Sequence, residues 1–383
     1  MIRFFLAFFS ILAFLGSPAT AQNIESEASH AVIMDYATGD TLWDKDGEEP
    51  MIPASMTKMM TAHLVFDRIR TGELSATDRF TVSENAWRKG GWASGGSTMG
   101  LAVGDQPTVE ELLHGVIILS GNDACIVLAE GISGTEEAFA REMTATAQRM
   151  GLTTASFKNA TGLNDEGHRI SAADLAQLAR LTIQDFPEFY DIYSQDSYEW
   201  RGISQPNRNP LLGRMEGVDG LKTGHLEISG YGLTASAQRG EDRRIIVING
   251  MPSESARAQE AERLMRLAFS AFETRTLSAD NMVIPPIPVW MGESEFVDAE
   301  LAEAITVSGM KRALVEAKVE VVYDGPLEAP IAEGDTIAQL VISIPGKEEV
   351  SVPIVARETI ARTGFFGRVL DGLNRMITGG GAS

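Results

Sequence analysis

The chain has a single cysteine, Cys125, and can therefore close no disulfide within itself. Its five histidines (His30, His63, His114, His168, His225) are scattered and make no His-Glu-x-x-His pair, and a lone cysteine makes no Cys-x-x-Cys. Both absences argue against a zinc hydrolase or a dithiol redox enzyme, and no metal or other cofactor is expected. Basic residues are few: 32 Lys and Arg against 53 Asp and Glu leave a formal charge of −21, the wrong sign for a nucleic-acid partner. After residue 22 no apolar run approaches the ~20 residues of a membrane-spanning helix. What is present is an ordinary globular composition over 383 residues, enough for two domains with their own cores.

The two ends differ from the body. Residues 1–21 run Arg3, an apolar segment over 4–15, Gly16-Ser17-Pro18 and Ala19-Thr20-Ala21, the order of a secretory signal peptide with cleavage after Ala21. Near the other end, in segment 361–383, Phe365, Phe366, Val369, Leu370, Leu373, Met376 and Ile377 recur at helical spacing. Arg362, Arg368 and Arg375 outnumber Asp371 there, so the segment reads as an amphipathic helix for a membrane surface; the alternative is a terminal helix docked on its own domain.

Between the ends the texture changes once. Residues 30–275 mix helical patterns with strands, and from about 282 short alternating strands follow one another: 283–290, 314–323 closed by Asp324-Gly325-Pro326, 337–344 before Pro345-Gly346, and 349–355. The expected division is a mixed domain over 22–278 and a small all-β domain, a sandwich, over 279–360. The first should open with a hairpin, 30–36 and 41–43, followed by a helix starting at Ser55. Thr108 with Glu111 spells a capping box, Ser171 caps another helix, strands return at 220–225, 230–238 and 243–249, and a helix over 256–272 closes it. That order fits an α+β domain, an antiparallel sheet packed with helices.

Three short motifs in this domain carry chemistry. Ser55-Met56-Thr57-Lys58 places a hydroxyl and an amine on one face of a helix start. A serine nucleophile needs such a neighbouring base, and lysine serves if burial and a second cation lower its pKa. Ser120-Gly121-Asn122 lies between two helices and offers a hydroxyl to relay a proton and an amide to hold a peptide carbonyl. Lys222-Thr223-Gly224-His225 lies on a strand, where Lys and Thr can hold a carboxylate and Gly lets a substrate backbone come close. Each alone is weak, as Ser308-Gly309-Met310-Lys311, Ser83-Glu84-Asn85 and Arg362-Thr363-Gly364 repeat the spellings in other contexts. In this order within one domain they form the set known from penicillin-binding proteins and class A β-lactamases.

The longer stretches Pro53-Ala54-Ser55-Met56-Thr57-Lys58, Ser120-Gly121-Asn122-Asp123-Ala124-Cys125 and Asp219-Gly220-Leu221-Lys222-Thr223-Gly224-His225 resemble the low-molecular-mass penicillin-binding proteins that are D-alanyl-D-alanine carboxypeptidases. Asn207-Arg208-Asn209, the β-domain and Phe365-Phe366-Gly367-Arg368 extend the resemblance over nearly the whole chain. It implies a β-lactamase/transpeptidase-like domain, with Ser55 as acylated nucleophile, Lys58 as its base, and Ser120 and Asn122 as relay and positioning pair. Lys222 and Thr223, with Gly224 and His225 on the same strand, would bind the substrate, and the N–H groups of Ser55 and His225 would form the oxyanion hole. The implied substrate is the peptidoglycan stem pentapeptide, the implied inhibitors are β-lactams, and the implied place is the periplasmic side of the inner membrane, held peripherally. The alternatives are a β-lactamase, a D,D-endopeptidase or a non-catalytic wall scaffold.

Two features qualify the resemblance. Related enzymes tend to carry an arginine just after the glycine that ends the 243–249 strand, but Gly250 is followed here by Met251 and Pro252, which leaves Lys222 with Thr223, or another arginine such as Arg257, to bind the carboxylate. There is no Glu-x-x-Leu-Asn of the kind class A β-lactamases use for deacylation, which favours slow release of β-lactams. The Gly-rich stretch 88–100 lacks a P-loop lysine and reads as a lid bordering the site, and Cys125 as a buried filler.

Overall fold

In the strand Asp242–Met251, the consecutive residues Ile245, Ile246, Val247 and Ile248 are all buried, so the sheet that holds them is covered on both faces. The computed structural model describes residues 2–5 and 24–364. Two compact units result, Gln22–Phe272 and a second unit from Glu273 onward.

The first unit is built on strands β1 (His30–Asp35), β2 (Thr41–Lys45), β3 (Val218–Leu226), β4 (Gly230–Arg239) and β5 (Asp242–Met251). They form an antiparallel sheet in the order β2-β1-β5-β4-β3, which makes β3 an edge strand. Ile33, Leu233, Ile246 and Ile248 pack with Leu264 and Met265 of a helix over Glu254–Ser270, capped by Ser253. On the opposite face Val32, Met34, Ile245 and Val247 join the main core with helices α1 (Lys58–Arg70), α2 (Glu84–Gly90), α3 (Val109–Ile117), α4 (Asn122–Ser133), α5 (Glu136–Arg149) and α6 (Ala172–Asp185). The Thr108–Glu111 capping box and the Ser171 cap form as their sequences predict. The helix expected from Ser55 begins instead as a 3₁₀ turn, Ala54–Thr57, with α1 proper starting at Lys58.

In the second unit Lys318–Tyr323, Thr336–Ser343, Val350–Ala356 and Ala299–Leu301 form an antiparallel sheet, with Ile2–Phe5 on the outer edge of the first. Its core gathers Val321, Leu340, Ile342, Val352 and Ile354. Three expectations need correction. The segment 314–323 is not one strand, because Lys311–Val315 is helical and the strand starts at Lys318. The segment 283–290 is a strand only over Ile287–Trp290, since Pro285 and Pro286 have no N–H to give a ladder. The units part at Phe272/Glu273 rather than 278/279, because Phe272–Leu277 pairs with Ile305–Met310. Apart from residues 2–5 and 361–364, the expected leader and tail helix lie outside the described residues.

Candidate active site

Ser55 sits in the 3₁₀ turn and Lys58 opens α1, so one tight turn separates them and brings Lys58 Nζ to 2.9 Å from Ser55 Oγ. Nζ also donates to Asn122 Oδ1 at 2.8 Å and to the Thr161 carbonyl at 2.6 Å. Those two oxygens can only accept, whereas a serine hydroxyl can also donate. A neutral Lys58 therefore spends its two N–H groups on Asn122 and Thr161 and turns its lone pair toward the Ser55 hydroxyl, the orientation of a base. Lys58 is 1% exposed, and this burial pushes its pKa below the usual lysine range against the opposing pull of charges that include Asp123 and Glu136.

The backbone around this pair is unusual. Ala54 (φ +50°) and Ser120 (φ +61°) are both in the left-handed region without being glycine, an arrangement that costs on the order of 1–3 kcal/mol each and is held by the packing around it. At Gly162 (φ +82°) a Cβ would lie 1.8 Å from the Ala54 carbonyl oxygen, so only glycine fits beneath the nucleophile turn. Asn159 shapes this loop by accepting from Thr161 N, Thr161 Oγ1 and Gly162 N, and so sets the direction of the Thr161 carbonyl.

Strand β3 runs past the same turn. A Cβ on Gly224 would lie 2.6 Å from the Pro53 carbonyl oxygen, so the glycine admits the turn carrying Ser55, where the sequence suggested room for a substrate backbone. Lys222, 2% exposed, donates to the Thr223 carbonyl at 3.2 Å. Burial pushes its pKa well below the usual range, and the neighbouring basic groups Lys58, Arg208 and Arg257 push the same way. The cation effect expected on Lys58 thus appears on Lys222. His225 stacks on Tyr231 at 3.8 Å between ring centroids.

Ser55, Ser120, Asn122, Thr223, Gly224 and His225 all line one cleft of about 450 Å³, with Lys58 and Lys222 buried among them. Ser120 lies on its wall, and among the described residues its hydroxyl makes no hydrogen bond. Gly95, Gly96 and Ser97 form a rim, fixed by the Asn122 N–H donating to the Ser97 carbonyl at 2.9 Å. Arg257 lines the cleft at 6% exposure, its Nε without a hydrogen-bond partner among the described residues, and Arg208 joins it there.

Three contributors carried no sequence signal. Thr161 acts through its backbone, Asn159 through a loop turn, and His168 through a contact 111 residues away in the chain, where Nε2 lies 2.8 Å from Thr57 Oγ1. His168 Nδ1 accepts from Lys158 N, so Nε2 carries the proton and donates to Thr57, tying the nucleophile turn to the 158–163 loop. Cys125 is buried with its thiol pushed up to about 12 by burial, an inert filler.

Comparison with known proteins agrees with this geometry. A family model described as D-alanyl-D-alanine carboxypeptidase matches residues 17–253, and one described as the penicillin-binding protein 5 C-terminal domain matches 272–362. The chain is 36% identical over 375 residues to D-alanyl-D-alanine carboxypeptidase DacC of Escherichia coli (strain K12), covering 96% of this chain and 94% of that protein. It resembles the crystal structure of penicillin binding protein 5 from Haemophilus influenzae with a TM-score of 0.75 at 34% identity, over 90% of this chain and all of that one. Penicillin-Binding Protein D2 from Listeria monocytogenes, solved with ampicillin bound, matches with a TM-score of 0.58 at 26% identity, over 65% of this chain and 99% of that one. With a serine and its buried lysine at the centre of the cleft and relatives along almost its full length, the chain belongs to the serine D-alanyl-D-alanine carboxypeptidases, the low-molecular-mass penicillin-binding proteins.

Proposed function

We propose that Ser55 is the residue acylated in the D-alanyl-D-alanine carboxypeptidase reaction, with a peptidoglycan stem pentapeptide as substrate. The observation that carries this is the buried Lys58 Nζ, 2.9 Å from Ser55 Oγ with both its other partners obligate acceptors. Lys58 takes the hydroxyl proton as Oγ attacks the carbonyl of the penultimate D-Ala. The N–H groups of Ser55 and His225 stabilise the oxyanion, and Asn122 holds the substrate amide. The proton passes through Ser120 to the departing amine, the C–N bond breaks and terminal D-Ala leaves. Water then attacks the acyl-Ser55 ester, giving a proton to Lys58; the C–O bond to Ser55 breaks, Lys58 passes that proton to Ser55 Oγ, and the peptide leaves with a free carboxyl, which restores the start. The substrate's terminal carboxylate meets Lys222, Thr223 and Arg257, and its negative charge favours the protonated form of Lys222 against the downward push of burial.

The same serine traps β-lactams, a reading supported by the ampicillin-bound relative. The expected leader and the basic, amphipathic pattern of 361–383 support export and peripheral attachment to the periplasmic face of the inner membrane. The deciding experiment is intact mass and peptide mapping of the mature protein with and without penicillin, repeated with Ser55→Ala. A stable adduct on Ser55, absent from the variant, is the expected result. Penicillin consumed without an adduct identifies a β-lactamase, and penicillin untouched identifies a scaffold. Supplying cross-linked dimer beside pentapeptide separates an endopeptidase.

A further inference from the structure

Trp92 is 57% exposed and Trp87 is 42% exposed, on a segment with no other buried task for such large rings. Trp87 lies on α2, and Trp92 starts the 3₁₀ turn Trp92–Ser94 that runs directly into the cleft rim at Gly95, Gly96 and Ser97. The turn is fixed in place: Ser94 N and Oγ donate to the Gly91 carbonyl, and Gly96 N donates to Ser94 Oγ. Trp92 itself is seated on the backbone of Gly100, where a Cβ would lie 2.9 Å from the indole Nε1. One edge of the ring is thus held while more than half of the side chain faces water.

The distances suit the far end of the substrate. A Cβ on Gly96 would lie 2.9 Å from Asn122 Nδ2, so Gly96 lies against the catalytic cluster, and Trp92 is four residues from it. The chain between them includes the 3₁₀ turn Trp92–Ser94, which rises only about 2 Å per residue, so Trp92 lies well within the roughly 14 Å that four extended residues can span. Four residues also separate the scissile carbonyl of a stem pentapeptide from the sugar that carries it. A stem lying in the cleft can therefore deliver its sugar to the rim. A rigid indole with one face open takes the apolar C–H face of a pyranose at small entropic cost.

We propose that Trp92, with Trp87 beside it, forms a saccharide platform that binds the N-acetylated amino-sugar unit carrying the stem peptide, so that the protein favours glycan-linked over free pentapeptide. This rests on the carboxypeptidase reading and adds a second contact to it. The test compares D-Ala release from free pentapeptide and from disaccharide-linked pentapeptide for the wild type, Trp92→Ala and Trp92→Tyr. It also follows tryptophan fluorescence as the peptide-free disaccharide is added. Trp92→Ala should lower kcat/KM on the disaccharide-linked substrate about fivefold or more, mostly through KM, and change the free peptide less than about twofold; Trp92→Tyr should restore the preference. The disaccharide alone should quench the wild type and not Trp92→Ala, a readout that stands even if no D-Ala is released and the catalytic reading fails. Equal losses on both substrates, or no quenching and no preference in the wild type, overturn the platform. Weaker binding of Trp92→Ala to anionic vesicles with glycan preference intact assigns the tryptophans to a membrane and also overturns it.

Discussion

The Thr161 carbonyl oxygen lies 2.6 Å from Lys58 Nζ, closer than the Ser55 hydroxyl at 2.9 Å. Together with Asn122 it fixes the direction of the Lys58 lone pair, while burial keeps the amine neutral over a pH range where a free lysine is charged. A base with a depressed pKa becomes competent as pH rises through the lowered value, so the rate of Ser55 acylation by a labelled penicillin should climb and then level below the pH at which a free lysine loses its proton. Lys58→Gln should acylate roughly 10²–10⁴ times more slowly with no such limb. Stopped-flow acylation against pH checks both, and a Lys58→Gln variant with the wild-type rate and profile would remove the lysine from the base role.

Gly162 and Gly224 both press against the nucleophile turn, but to different degrees. Gly162→Ala meets a backbone oxygen at 1.8 Å and also needs φ +82°, whereas Gly224→Ala meets one at 2.6 Å on an extended strand. Both should slow acylation by shifting Ser55 against Lys58, Gly162→Ala more severely and with a loss of stability of more than about 1 kcal/mol. Parallel thermal melts and penicillin labelling measure the two effects. The reverse ranking would mean that the turn is set by something other than these contacts.

His63 and His168 are buried and held neutral, each with its pKa lowered by burial from 6.5 to about 4. Between those values the unfolded chain binds protons that the folded one does not. Stability is therefore complete above about pH 6.5, falls as pH drops toward 4, and is flat with respect to these groups below that. The loss is on the order of 3 kcal/mol per histidine. Urea unfolding of the first unit at several pH values should show this slope, and His168→Gln, which can accept from Lys158 N and donate to Thr57, should reduce it by about half. An unchanged slope in that variant would place the acid sensitivity elsewhere.

Much of this was legible in the sequence because the signals were local. Thr108 and Glu111 cap a helix from four residues, and Ser55 and Lys58 meet because three residues make one turn. The sheet strands announced themselves by continuous apolar runs such as 245–248. What stayed hidden depends on chain-distant backbone. The acceptor role of Thr161 belongs to a carbonyl that every residue has, and the reason for Gly224 is the position of Pro53, far away in sequence. Lys311–Val315 escaped because its apolar residues continue those of the strand after it, and a helix of five residues has too little periodicity to separate them.

The positive, amphipathic pattern of 361–383 predicts a test in cells. Deleting these residues should move the protein from the membrane to the soluble fraction without loss of activity on a soluble peptide. Fractionation that does not change on deletion would refute the anchor.

Arg257 lines the cleft, its Nε lacks a hydrogen-bond partner among the described residues, and the position after Gly250 holds Met251, so a carboxylate role for Arg257 can be tested directly. Burial lowers its pKa, but a guanidinium keeps its charge at any working pH, whereas burial pushes the amine of Lys222 well below the usual lysine range. The two cations should therefore separate by experiment. Arg257→Gln should reduce kcat/KM for a peptide ending in a free carboxylate on the order of 10²-fold, and much less for the same peptide ending in an amide or ester. Lys222→Gln should do likewise; a bound carboxylate raises the pKa of Lys222, so proton uptake should accompany binding of the acid at pH values where that amine is partly deprotonated, and the variant should abolish it, measurable by calorimetry in buffers of different ionisation enthalpy. Equal losses on the acid and its neutral analogue in Arg257→Gln would show that the arginine shapes the cleft wall without touching the carboxylate.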